Sequence, residues 1–243
     1  MKTPEKIGAF FDLDGTLLAP PSLEWRFIGY LLKRDEIRIQ NVAHWVAPSA
    51  KALLNSGRRA LFANKLYLAG IHESVVGEWA NAITPRSTPG SLPWFVEGID
   101  QVRRHLERGH RVVLVTGTLA PLARAIAGHL PRGVEVRATN LETRDGFYSG
   151  EISGAHLGFE GKARVIREYA AEFDLDLRHS FAYGNEMSDA KMLEAVGHPA
   201  AVNASWSLKR EARKRSWRIY SWRDSREEKN RTRNSALAPK EAR

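Results

Sequence analysis

Apolar positions in this chain fall into two patterns, short unbroken runs and longer periodic stretches. The runs Ile7 to Phe11, Arg111 to Val115 and Ser180 to Gly184 each end at small or polar residues, the signature of strands buried on both faces of a parallel sheet. Helical periods separate them. After Pro93, the residues Phe95, Ile99, Val102 and Leu106 recur at helical spacing, and Gly109 closes that helix before the second run begins. Ile166, Ala170 and Phe173 repeat the pattern ahead of the third run. Alternating strands and helices predict an α/β fold with a doubly wound parallel sheet, whose ligands sit beyond the carboxyl ends of the strands.

Between Leu17 and Arg86 the periodicity is helical only: Trp25, Ile28 and Leu32, then Val42, Trp45 and Val46, then Leu61, Leu66 and Leu68, then Val75, Trp79 and Ile83. This predicts a helical cap, residues 18–86, inserted after the first strand, with the Pro-, Gly- and Ser-rich stretch from Arg86 to Pro93 as the return hinge. Val136 to Glu142 and Phe147 to Ile152 flank Asp145-Gly146, a hairpin signal. Trp217 and Trp222 bracket a last strand. The expected division is a core of residues 1–17 and 87–222, the cap, and a polar tail, residues 223–243, that stays outside the fold.

Charge and composition narrow the class. The net charge of +9 suggests a polyanion partner, but residues 209–243 hold 13 Lys and Arg against 5 acids, so the body before them is nearly neutral. Nucleic acid and membrane are therefore not the expected partners, although the basic tail leaves weak membrane association open. The absence of cysteine excludes disulfides, Cys-ligated zinc and thiol nucleophiles. The eight histidines show no HxH or HExxH spacing. Asp12 and Asp14 interrupt the only apolar stretch near the N-terminus, which no signal peptide tolerates, and the expected location is cytoplasmic.

Chemistry concentrates where the predicted strands end. Phe10-Phe11-Asp12-Leu13-Asp14-Gly15-Thr16-Leu17 sets two carboxylates two residues apart; they repel unless a cation lies between them, and the alternative is a plain Asp-Gly turn. Leu114-Val115-Thr116-Gly117-Thr118 offers a hydroxyl and backbone amides at a strand-to-helix turn, suited to a phosphate oxygen or to simple N-capping. Lys162 opens a helix at the end where a cation is disfavoured, unless it faces an anion. Ala182-Tyr183-Gly184-Asn185-Glu186-Met187-Ser188-Asp189 supplies oxygen ligands for a hard cation, or a capped helix start at Ser188.

In this order the four motifs resemble the haloacid dehalogenase superfamily of aspartate-nucleophile phosphatases, over Ile7 to Trp222. FFDLDGTLL, LVTGT, GK and YGNEMSD, with a helical insertion after the first motif, are most similar to its phosphoserine-phosphatase-like branch, a Rossmann-like core with a helical cap. The resemblance implies a phosphatase acting on a small-molecule phosphate monoester. Asp12 would be the nucleophile, Asp14 the general acid and base, and Thr116, Gly117 and Lys162 the phosphate-binding groups. Mg²⁺ would be the cofactor, held by Asp12, Asp14, Asn185 and Asp189. The second Asp of the first motif marks phosphorus chemistry rather than dehalogenation. One departure stands out: Asn185 occupies a position where the family usually has Asp, which removes a negative charge and implies weaker metal affinity. In the cap, Glu24, Arg58 and Arg59 are the candidate substrate contacts. The aromatic residues Trp25, Phe27, Tyr30 and Trp45 either line a pocket or form the bundle core. Phosphoserine phosphatase proper, and a non-catalytic binding or regulatory protein on the same scaffold, are the alternatives. Sequence leaves the oligomeric state open.

Overall fold

In a computed structural model of the protein, the described residues are 6–37, 40, 41, 43, 45, 65–85, 92–154, 157, 158 and 160–226. The predicted contacts Arg58 and Arg59, the middle of the cap and the tail beyond residue 226 lie outside them. Six parallel strands form the central sheet in the order β3-β2-β1-β6-β7-β8. They are β1 (Gly8–Phe11), β2 (Arg111–Leu119), β3 (Val134–Thr139), β6 (Phe181–Gly184), β7 (His198–Val202) and β8 (Arg218–Tyr220). The strand order runs outward from β1 in one direction through β2 and β3, and in the other through β6, β7 and β8. The chain thus reverses its direction of travel across the sheet between β1 and β6, which opens a crevice at their carboxyl ends. Asp12 directly follows β1, and its backbone N–H donates to Tyr183 O of β6 at 2.9 Å, extending the ladder to the crevice floor.

Strand alternation divides the core in two. Phe10, Val113, Val115, Ala182 and Ala201 face helices α5 (Glu160–Phe173), α6 (Ala190–Glu194) and α7 (Trp206–Lys214). Phe11, Leu114 and Tyr183 face α3 (Val96–Glu107) and α4 (Ala120–Ala127), and this apolar cluster continues into the cap through Phe27 and Leu31 of α1 (Leu23–Lys33) and Val76 and Ala80 of α2 (Glu73–Ile83). Phe27 and Trp45 are buried in it, Tyr30 packs at its edge, and Trp25 points outward.

The segment from Val136 to Glu142 is not one arm of a hairpin. Its first part belongs to edge strand β3, and after Asn140 the chain starts β4 (Leu141–Arg144), which pairs with β5 (Phe147–Ile152). Asp145 and Gly146 both take positive φ, 52° and 82°, as the tight turn requires. The hairpin also pairs with the cap. Lys65 N donates to Gly150 O at 2.9 Å, Gly70 N to Tyr148 O at 2.8 Å and Glu73 N to Gly146 O at 2.9 Å.

The outgoing and return linkers of the cap pair with each other, Ala19 N to Pro93 O and Phe95 N to Leu17 O. Arg223 to Ser225, the first residues of the segment expected to be tail, add a third layer: Val96 N donates to Arg223 O, Ser225 N to Trp94 O, and Arg223 pairs with Glu97 at 2.6 Å. No helix among the described residues is long and apolar enough to cross a membrane.

Candidate active site

Three sequence-distant segments meet at the end of β1. Asp12 is buried, and its Oδ1 accepts from Lys162 Nζ at 2.5 Å while Oδ2 accepts from the Thr16 hydroxyl at 3.1 Å. Lys162 stands in the first turn of α5, buried, and its ammonium also donates to Asp189 Oδ1 at 2.6 Å. That resolves its position at the electrostatically wrong end of a helix, because two carboxylates surround it. Asp189 accepts through Oδ2 from the backbone N–H groups of Asn185 and Glu186, at 2.9 and 3.0 Å, and so shapes the loop after β6. Gly184 makes this possible: a Cβ there would lie 2.5 Å from Asp189 Cβ.

Asp14 turns toward the cap. Its Oδ1 accepts from Leu23 N at 2.7 Å and its Oδ2 from the Thr118 hydroxyl at 2.6 Å. Thr118 reaches it because β2 does not stop at Val115. The register shifts between Thr116 and Leu119, so Gly117 and Thr118 bulge out of the ladder toward the site before α4 begins at Ala120. Thr118 N donates in turn to the buried Thr116 Oγ1 at 3.1 Å. Gly15 takes φ 86° at the turn after Asp14, and a Cβ there would fall 1.9 Å from Asn185 Nδ2, so glycine lets the loops after β1 and β6 touch.

Among the described residues the charges do not balance: Asp12, Asp14 and Asp189 meet the Lys162 ammonium, with the Arg26 guanidinium within electrostatic reach of Asp14. Burial pushes the Asp12 carboxyl up from 3.8 to about 7, against the pull of Lys162 and with the charges of Asp189 and Asp14 adding to the rise. Asp14 is also raised, by burial first, with the Thr118 and Leu23 hydrogen bonds opposing and the charge of Glu24 assisting. Lys162 is held above its ordinary value by Asp12 and Asp189, which outweigh the effect of its burial.

No cluster of three or more His, Asp or Glu side chains that could hold a metal ion occurs among the described residues. Both oxygens of Asp14 and both of Asp189 are engaged in hydrogen bonds within the chain. Asp189, expected among the metal ligands, positions Lys162 and the 185–186 backbone through these bonds. Asp12 Oδ2 and Asn185 Oδ1 remain together, 3.1 and 3.5 Å from the Thr16 hydroxyl. These hard oxygen donors, in a site with surplus negative charge, fit a cation such as Mg²⁺.

The cap residue Glu24 does not present an open carboxylate. Lys65 Nζ bonds both its oxygens at 2.6 and 2.8 Å, and the Tyr67 hydroxyl donates to Oε1 at 2.8 Å. Thr16, Thr118, Lys65 and Tyr67 are not among the site residues that the sequence predicts. The two threonines stand inside the quoted motifs, so motif membership was the available signal. Lys65 and Tyr67 had none, since only folding brings them to Glu24.

A profile of the haloacid dehalogenase-like hydrolases matches residues 9–194, from β1 to the end of α6 and across every site segment just described. The chain belongs to this family. Its likeness to solved structures includes a protein of unknown function from Bordetella pertussis Tohama I, with TM-score 0.72 and 29% identity, covering 89% of this chain and 98% of that one. A phosphoserine phosphatase solved as its phospho-aspartyl intermediate analogue shares the fold, with TM-score 0.60 and 18% identity over 92% of this chain and 97% of that one. A probable phosphatase of Mycobacterium tuberculosis is 37% identical over 132 residues, 53% of this chain. The match spans 44% of that relative, so the chain covers less than half of its length.

Proposed function

We propose that the protein is a phosphatase that hydrolyses a small phosphate monoester through a phosphoryl group carried on Asp12. The observation that supports this best is the buried Asp12–Lys162–Asp189 arrangement beside a separately held Asp14. An ionised Asp12 attacks phosphorus, forming the Oδ–P bond as the bond from phosphorus to the ester oxygen breaks. Asp14, held on the leaving-group side by Leu23 N and Thr118, gives a proton to the departing alkoxide. Asp14 then accepts a proton from the water that attacks the acyl phosphate, which releases phosphate and restores the Asp12 carboxylate. Lys162, Thr116 and the Gly117 backbone offset the charge on the phosphoryl oxygens, and removal of one such group typically costs about 10² to 10³ in rate. A bound Mg²⁺ would neutralise the surplus acidic charge and polarise the phosphoryl group. Asp12, Asn185 and the Asp14 backbone carbonyl would hold it.

The test is hydrolysis of a generic aryl phosphate with and without added Mg²⁺. Wild type turns it over in a Mg²⁺-dependent way, and Asp12→Asn, folded by circular dichroism, does not. Equal rates for the two proteins would rule out this role for Asp12.

A further inference from the structure

A phosphoester whose phosphorus sits at Asp12 has its leaving oxygen at Asp14, so the leaving group extends toward whatever surrounds Asp14. The cap supplies that surrounding. Leu23 N is bonded to Asp14 Oδ1, and the next residue is Glu24, 5% exposed. A carboxylate here would attract an ammonium on the leaving group. Glu24 already has one. Lys65, 1% exposed, places Nζ against both Glu24 oxygens, and Tyr67 takes a further lone pair of Oε1, so three of roughly four acceptor positions are filled from within the chain. The arrangement is anchored at each member: Lys65 N bonds Gly150 O of the hairpin, the Tyr67 ring packs edge-on against Trp45 at 5.3 Å, and Glu24 is fixed in the first turn of α1. The Glu24 carboxylate is thus matched within the chain by the Lys65 ammonium and the Tyr67 hydroxyl.

We propose, resting on the phosphatase reading above, that Lys65 determines specificity: by occupying Glu24 it closes this wall to ammonium-bearing leaving groups. The preferred substrates are then phosphomonoesters of alcohols without a positive charge, as opposed to amino-alcohol phosphates.

Ethyl phosphate and phosphoethanolamine differ by one ammonium and isolate the effect. For wild type, kcat/KM for phosphoethanolamine is expected to be no higher than for ethyl phosphate. Lys65→Met exposes the Glu24 carboxylate and is expected to raise the phosphoethanolamine-to-ethyl phosphate ratio by about tenfold or more. The double variant Glu24→Gln, Lys65→Met is expected to lose that gain. A wild-type preference for phosphoethanolamine of about tenfold would overturn the proposal, as would a folded Lys65→Met protein with the wild-type ratio. If Lys65→Met does not fold, the wild-type ratio decides alone. Hydrolysis of an aryl phosphate by wild type separates the two levels: without it the phosphatase reading falls and takes this inference with it, whereas with it an unchanged ratio sinks only the role of Lys65.

Discussion

At the level of single residues, the site is organised by the cost of burying charge. A carboxylate in a dry cleft is stable only with partners, and here each has a defined set: Lys162 and Thr16 for Asp12, Leu23 N and Thr118 for Asp14, Lys162 and two backbone amides for Asp189. Partnering is incomplete for Asp12, whose carboxyl is raised to about 7. The sign of the consequence follows from linkage. The folded state holds a proton on Asp12 that the unfolded chain gives up near pH 4, so this group's contribution to stability is fully present below that pH and is lost as pH rises toward 7. With divalent cations removed by EDTA, Asp12→Asn should therefore gain stability relative to wild type between pH 4 and 7, and the difference should level off above. Urea denaturation at a series of pH values measures this, and a pH-independent difference would mean that Asp12 titrates normally.

Much of this residue-scale picture was legible in the chain, because the motif residues are consecutive and sit where buried strands end. The structure brings the motif residues Asp12, Lys162 and Asp189 together, as their places at strand ends suggest. The partners were harder to read. Thr118 reaches Asp14 only through the bulge in β2, a departure from regular pairing that no periodicity announces. Glu24 looked like an open substrate contact because its neutralising lysine is 41 residues away.

Among the elements, backbone hydrogen bonds tie the described part of the cap to the core at the paired linkers and at the β4–β5 hairpin. The second tie explains a glycine. Gly150 has φ 86°, and a Cβ on it would lie 2.8 Å from Leu66 Cα, where the cap backbone crosses the hairpin. Gly154 has φ 74° with no heavy atom within 4 Å of such a Cβ. Both positions carry the backbone penalty for a side chain at positive φ, about 1 kcal/mol, but only Gly150 adds a backbone clash. Gly150→Ala should thus cost about 2 to 4 kcal/mol and Gly154→Ala about 1 kcal/mol, as read by denaturant midpoint. Similar losses at both positions would show that the cap does not rest on the hairpin.

The three strands read from unbroken apolar runs are present at nearly the expected positions, and the brackets at Trp217 and Trp222 correctly enclosed β8. Edge strand β3 was missed as a separate element. Its residues alternate between Val and charged or small side chains and run without a turn signal into Leu141, so the sequence reads as one arm of a hairpin. The break at Asn140 is set by β3 docking on β2, a tertiary contact.

For the molecule as a whole, the sheet topology, the cap and the charge distribution serve one arrangement. Strand order reverses at β1, the crevice opens beside Asp12, and on the Asp14 side the cap holds the Glu24–Lys65–Tyr67 group. The segment from Arg223 to Ser225 binds across the return linker, so the fold extends past the boundary that composition suggested, where only local polarity was visible. Transfer of phosphorus to Asp12 can be trapped chemically. Borohydride added during turnover of an aryl phosphate reduces an acyl phosphate to the alcohol, which would convert Asp12 to homoserine. Peptide mass spectrometry should find homoserine at position 12 only when substrate is present. Continued turnover with Asp12 unmodified, or modification at another carboxylate, would contradict the account.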